Sequence, residues 1–525
     1  MWKSSIIIKL LIFIAIFVVI SPAFSQKKRI IKYKADEVSH SATINPDIDR
    51  LIGHAIFMDS TAATMMYCDS AYFHRKNEDI DAFGNIRVVP MSGNTSLTGD
   101  IMHYKAADRM AELYGNVVLI DDQTTLTTQT IFYNLTTGVS NYPTKGTIVT
   151  PDLTIVSDQG AYNRNTKESF FKKNVVVTNP DGIIHTDTMN YNTLTKIVDF
   201  LGPTIMTTDK DSIYCEKGWY NRGTEISSFR QNAWLKHSSQ VIKGDTLYYE
   251  RLTGLGKGFG NVEVLDTTNN MIIRGNFANM NRFQESAVVT KRAYMIQVEN
   301  KKDSLYLHAD TIQSGNFVEN TDTFKFVKAY HHVRFFRTDL QGKCDSMYYS
   351  FKDSTLELIN NPILWAQGMQ LRSEHVKIFI KNNTMDHMDM TNSGFITQQQ
   401  DSVRFNQIKG RNMTGYFRKN EIYKMVVKGN GQSLYFAKED NTEEITGIMK
   451  TESSEITIFM KDKKLDKINY TQTVSGTFHP PFELSGSDLL LKDFSWLEKI
   501  RPKSWQDIFV WQEISKNEGL VKNPR

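Results

Sequence analysis

The chain is short of several things, and each shortage removes a class of explanation. It has three cysteines in 525 residues. Cys68, Cys215 and Cys344 occupy one slot of a repeat, several copies apart. Strand spacing separates them by on the order of 40 Å or more, whereas a disulfide needs Cα atoms within about 7 Å. Packed free thiols are the expectation. Charge of one sign is also missing: the formal net charge is +4, about +2 once Lys3 and Lys9 of the leader are removed, and nothing in it suggests nucleic acid. There is no Pro/Ser/Gly-rich linker, so a length that would ordinarily imply several domains is better read as one continuous solenoid.

Catalytic signatures are absent. The sequence has no His-Glu-x-x-His, Gly-x-Ser-x-Gly, Walker loop or Cys-x-x-Cys, and no cofactor is expected. The run from Gly254 to Gly260 reads as a turn. His331-His332 and the stretch Asp386-His387-Met388-Asp389 lack the ligand spacing of a zinc site, and they read as solvated side chains. One long apolar run exists, Leu10 to Ile20, after the basic Lys3 and Lys9 and before Ala23-Phe24-Ser25. It reads as a secretory signal peptide over residues 1–25, with an uncleaved anchor as the alternative. No cysteine follows it to carry a lipid.

What the chain does have is a period. Gly99, Thr128, Ser157, Thr186, Cys215 and Gly244 fall 29 residues apart. Two residues before each stand Leu97, Leu126, Ile155, Ile184, Ile213 and Ile242. One after stand Asp100, Gln129, Asp158, Asp187, Glu216 and Asp245. Three after come Met102, Ile131, Gly160, Met189, Gly218 and Leu247, and five after an unbroken column of Tyr104, Tyr133, Tyr162, Tyr191, Tyr220 and Tyr249. Side chains alternate faces along a strand, so the odd step between the small slot and the third residue after it implies a bulge or corner. The acidic residue at the corner is expected to accept unpaired backbone N–H groups. A ladder of metal-binding carboxylates is the sharper alternative, but no metal-binding nonapeptide is present.

A second half follows in each copy, with Gly84-Asn85, Gly115-Asn116 or Gly260-Asn261 before alternating apolar residues. Gly and Asn tolerate positive φ, and the pair reads as a second corner. Two strands of roughly ten residues and two turns fill the period. The small slot recurs upstream at Ala35 and Cys68 and downstream at Gly275, Ala309, Cys344, Ser373 and Gly410, for about 13 copies. Stacked at strand spacing they predict an all-β, elongated antiparallel jellyroll or solenoid rod of about 13 two-strand repeats and roughly 120 Å. The pattern stops after His479-Pro480-Pro481. Residues 479–525, with Phe494, Trp496, Trp505, Phe509 and Trp511, read as a capping or docking tail.

Apolar-x-small-Asp-x-apolar-x-Tyr, followed by Gly-Asn-Val-x-Val and preceded by a signal peptide, resembles the OstA-like/LptA-like family of periplasmic β-jellyroll proteins. The resemblance spans the repeats over residues 26–478. It implies a jellyroll V-shaped in section that holds the acyl chains of lipopolysaccharide and joins other jellyroll proteins by strand addition in a bridge to the outer membrane. It also implies a periplasmic, non-enzymatic protein whose tail can touch the outer membrane. Groove candidates are Ile155, Ile184, Ile213 and Ile242 from the column before the small slot. Met102, Ile131, Met189 and Leu247 follow from the column after it, and Tyr133, Tyr162, Tyr191 and Tyr220 from the tyrosines. Gly160 and Gly218 are expected to leave volume for acyl chains. A scaffold or adhesin rod would share the repeats without an accessible groove, and a glycan-active enzyme would need acidic residues clustered on one face.

Overall fold

The computed structural model describes residues 31–59, 63–91, 94–300, 303–382, 384–439, 444–461 and 464–512, so the leader expected over residues 1–25 lies outside the described residues. Among them the regular elements are β-strands and three short 3-10 turns, and the strand pairs are antiparallel. The chain divides into two compact units, Met1–Leu194 and Thr195–Arg525.

In the first unit the strand Ser96–Lys105 displays the rule that builds the rest. Leu97 and Gly99 are buried, Asp100 and Ile101 are exposed, and Met102 and Tyr104 are buried again. The alternation therefore slips by one residue at the corner, which keeps apolar side chains inward on both sides of it. The slip comes from the neighbouring strand Asp79–Pro90. Phe83 pairs with Ile101 and Ile86 with Gly99, so Gly84 and Asn85 together stand against Asp100 alone. Both bulge residues have positive φ, 75° at Gly84 and 44° at Asn85. The same device sits at Gly115-Asn116 in the strand Met110–Asp121. Lys173 (φ 64°) and Asn174 (φ 50°) form it in the strand Glu168–Asn179.

Two sequence expectations are corrected here. The acidic column and the Gly-Asn column are not two corners but one, crossed twice per repeat by adjacent strands. The carboxylate's partner is also a side chain: Asn85 Nδ2 donates to Asp69 at 2.8 Å, Asn116 to Asp100 at 2.8 Å and Asn174 to Asp158 at 2.7 Å. The acidic residue's own N–H meets the bulge carbonyl, as from Asp158 to Lys173 at 3.1 Å. The pairing recurs in the second unit, between Asn232 and Glu216 at 2.6 Å. There His331 and His332 also form a positive-φ pair, with His332 Nδ1 2.7 Å from Asp310. That histidine pair is a corner, and no metal-binding cluster occurs among the described residues.

The corner splits the first unit into two arms. Residues 86–90, 96–99, 117–121 and 124–128 form one arm, and residues 79–83, 101–105, 110–114 and 130–134 the other. The apolar interior lies between them, with Leu113 and Ile131 fully buried. Each such side chain contributes about 1.5 to 3 kcal/mol. Cys68, Cys215 and Cys344 are free and buried; burial pushes the first two thiols up to about 11 and about 12 and raises the third, so none is a ready nucleophile.

The second unit repeats the plan and adds a strap. Residues 484–512 run across the outward side of its strands, at right angles to them, along a row of paired residues: Gln341, Trp365, Gln370, Thr397, Gln407 and Leu434. Leu497 and Ile500 pack on Ile363 and Trp365, and Phe494 packs on Phe395 and Phe405. Leu484, Leu489 and Leu491 pack on Leu434, Phe436 and Ile448. The segment covers a face of the sheet and leaves the terminal strand Ser475–His479 largely exposed.

Candidate functional site

An apolar cleft opens between the two arms of the first unit. From one arm and its edge come Ile31, Phe57, Met66, Val88 and Leu97; from the other come Ile80, Met102, Tyr104, Ala111, Tyr133 and Leu135. Asp59 and Thr64 stand in the same lining. The space within it is about 50 Å³, smaller than the roughly 300–1,000 Å³ of ordinary ligand sites, so it is a narrow slot rather than a roomy pocket. Strand alternation creates it, because the column before the small slot faces the columns after it across the gap. Downstream the arms are tied together: Tyr162 donates to Asp121 at 3.4 Å, and Lys167 Nζ donates to the Tyr162 hydroxyl at 3.3 Å.

Of the candidates from sequence, Met102 and Tyr133 line this cleft. Ile131, Met189 and Ile155 are buried at 0%, 2% and 3% exposure in the packed interior. Ile184, Tyr162 and Tyr191 are half-buried. Ile213, Ile242, Leu247 and Tyr220 belong to the second unit, where Leu247 is buried and the others are half-buried. The glycine expectation fails on geometry. A Cβ on Gly160 would come within 2.2 Å of the Tyr142 hydroxyl, and one on Gly218 within 2.7 Å of the Ser228 carbonyl oxygen. Tyr142 fills that corner and shares a 2.7 Å hydrogen bond with Ser157. These slots are small because other groups already occupy the space.

Phe57, Met66, Ile80 and Val88 line the cleft without being groove candidates from sequence, as does Leu97, which belongs to the apolar column before the small slot; each sits at an alternating apolar position. The same alternation marks them, in copies before Leu97 whose spacing departs from 29 residues.

A polar cluster closes the amino-terminal end of this interior. Asp49 is fully buried. It accepts from Tyr33 at 2.8 Å and from Arg75 Nε at 2.8 Å, with Arg75 Nη2 at 2.7 Å and His40 Nδ1 at 3.1 Å. Tyr33 pairs beside Phe57 on one arm and Asp49 beside Phe73 on the other, so the bond spans the gap. Burial opposes the Asp49 charge, but hydrogen bonds from Arg75 and Tyr33 and the charges of Arg75 and His40 outweigh it and hold the carboxyl below its usual range. A carboxyl depressed in the folded state stabilises above its unfolded value, about 3.9, and that stability is lost as pH falls through the folded value. Asp49→Asn is expected to lose about 1.5 to 3 kcal/mol of local protection at neutral pH, read as amide exchange in the strands Ile31–Lys34 and Asn45–Asp59. The variant should also flatten the acid dependence below pH of about 4. Unchanged exchange at neutral pH would contradict the tie.

A family comparison bears on this cleft. Residues 27–187 match the family described as OstA-like protein. Over this segment, less than half of the chain, the protein is similar to OstA-like proteins. The segment contains the whole cleft, the Asp49 cluster and the corners at Gly84 and Gly115. No curated protein sequence matches the chain significantly.

Proposed function

We propose that the protein binds lipopolysaccharide through its acyl chains and hands it across the periplasm towards the outer membrane as one component of a protein bridge. The observation that carries this reading is the apolar cleft between the arms of the OstA-like segment. Hydrocarbon entering it leaves water at about 0.8 kcal/mol per buried CH₂, while a sugar headgroup stays at the open mouth. Strand addition is the natural way to join a neighbour. In the first unit Ile31–Lys34 and Glu37–Ser41 pair with Asn45–Asp59 on one side; in the second unit Ser475–His479 pairs with Ile445–Lys461. In this reading residues 1–25 direct export, residues 26–478 form the jellyroll, and the tail carries any outer-membrane contact through Phe482, 92% exposed.

Purification without detergent, followed by mass spectrometry of extracted lipid, tests the proposal. Lipid A acyl chains should co-purify at near one-to-one stoichiometry, and Met102→Asp should abolish their retention while the protein stays folded. Recovery of folded protein with no glycolipid would favour a scaffold instead.

A further inference from the structure

The arm of the first unit that includes residues 96–99, 117–121 and 124–128 has an outward face without charge. Ser96, Ile120, Thr125, Val149, Thr154 and Thr178 pair side by side across six neighbouring strands. Thr98, Val118, Thr127, Thr147, Val156 and Val176 pair in the row beside them. Ser96 apart, every one is threonine, valine or isoleucine, and Ile183 extends the first row to a seventh strand. Along these rows charge returns only at the borders, with Arg87 before the grid and the titratable His185 after it. Ile120, Val149 and Ile183 are 39%, 47% and 43% exposed. An exposed, uncharged face of this extent marks an interaction surface.

The same two columns, one and three residues before the small slot, carry different side chains in the second unit. Before Ser373 they are Arg372 and Gln370, and before Gly410 they are Lys409 and Gln407. All four bond to the strap's backbone: the glutamines donate to the Ser495 and Leu489 carbonyl oxygens, Arg372 to that of Asp493 at 2.7 Å and Lys409 to that of Lys492 at 3.1 Å. An irregular segment needs such partners, because a covered backbone group left unpaired is costly. The grid of the first unit offers only hydroxyls, and those of Thr98 and Thr127 already donate to carbonyls of their own sheet at 3.4 Å. Whatever covers it must therefore satisfy its own backbone and bring no unpaired charge, which describes another sheet with an uncharged outward face. We infer that the occupant is the same grid on a second copy of this chain, the two sheets packed face to face as in a β-sandwich. Seven strands at about 4.8 Å and arms of roughly five residues give on the order of 500 Å² per copy. That is at the lower limit of a specific interface, so the dimer is weak, with a dissociation constant of micromolar order. Gly146–Val149 is the middle strand. A two-fold axis along it places Val149 beside its own counterpart and keeps the two Arg87 side chains at opposite ends.

Sedimentation velocity of the full-length protein, from low to high micromolar concentration, reads the association. A monomer–dimer equilibrium is expected. Val149→Lys should weaken it at least about tenfold, since the lysine is desolvated against an uncharged face, while circular dichroism stays the same. Mixing Val149→Lys with Val149→Glu protein should restore the dimer that neither forms alone. Phe170→Lys, at a similarly exposed apolar position on the outward side of the other arm, should change nothing. If Val149→Lys disturbs the fold, Thr127→Lys, exposed on the adjacent strand, replaces it. Strand addition is told apart because it is heterologous, grows past two copies and ignores Val149→Lys. A monomer at every concentration, an association that Val149→Lys leaves unchanged, equal loss with Phe170→Lys, or a mixture that stays monomeric would overturn the inference. So would vesicle binding by the monomer that Val149→Lys abolishes, which would give the face to a lipid surface.

Discussion

A photoreactive amino acid at Met102 is expected to crosslink lipopolysaccharide, and the same group at Asp100 is not. The two positions are two residues apart on one strand, yet the bulge at Gly84-Asn85 puts them on opposite sides of the sheet. Met102 is 2% exposed and lines the cleft, whereas Asp100 is exposed and bonded to Asn116 at 2.8 Å. Leu97, in the facing arm, should crosslink as Met102 does. Met102→Asp should weaken binding by more than about 100-fold, since a carboxylate there has no partner and its desolvation exceeds about 3 kcal/mol. Circular dichroism separates lost binding from lost folding, and Met102→Trp, which fills the cleft without adding charge, should also reduce binding. Equal crosslinking at Met102 and Asp100 would remove the cleft from consideration as the acyl site.

The second large effect is expected at Gln370. This side chain is fully buried and bonds to the strap in both directions. Its Nε2 donates to the Ser495 carbonyl at 2.8 Å, and its Oε1 accepts from the Leu497 N–H at 2.7 Å. Gln407 does the same one station along, with Leu489 and Leu491, each at 2.8 Å. The strap has no strand partners of its own here, so these amides replace a β-ladder. Gln370→Ala removes both bonds and leaves a buried N–H and C=O unpaired, at a cost of about 2 to 4 kcal/mol. Limited proteolysis should then cut within residues 484–512 far sooner, and the urea midpoint of the second unit should fall. Gln432→Ala, whose amide reaches the exposed Glu452, should change stability by less than about 0.5 kcal/mol. If the two variants behave alike, the strap is not held by its amide ladder.

The strands and the corner were legible in the sequence because both are local. Alternation with period two, a one-residue slip beside an acidic residue, and Gly-Asn where positive φ is needed are all set within a few residues by backbone geometry. That the two columns meet at one corner is a matter of register between strands, which a linear reading does not contain. Whether an inward column meets packing or open space is decided further away still. Gly160 looks like room for a ligand until Tyr142 lies against it. Met102 and Ile131 occupy the same slot, but the first lines a cleft and the second is enclosed by neighbours. Gln341, Gln370 and Gln407 read as ordinary outward polar residues, and only a segment more than 80 residues downstream of Gln407 turns the last two into buried clamps. Periodicity determines which way a side chain points, whereas burial depends on what the rest of the chain brings to that side.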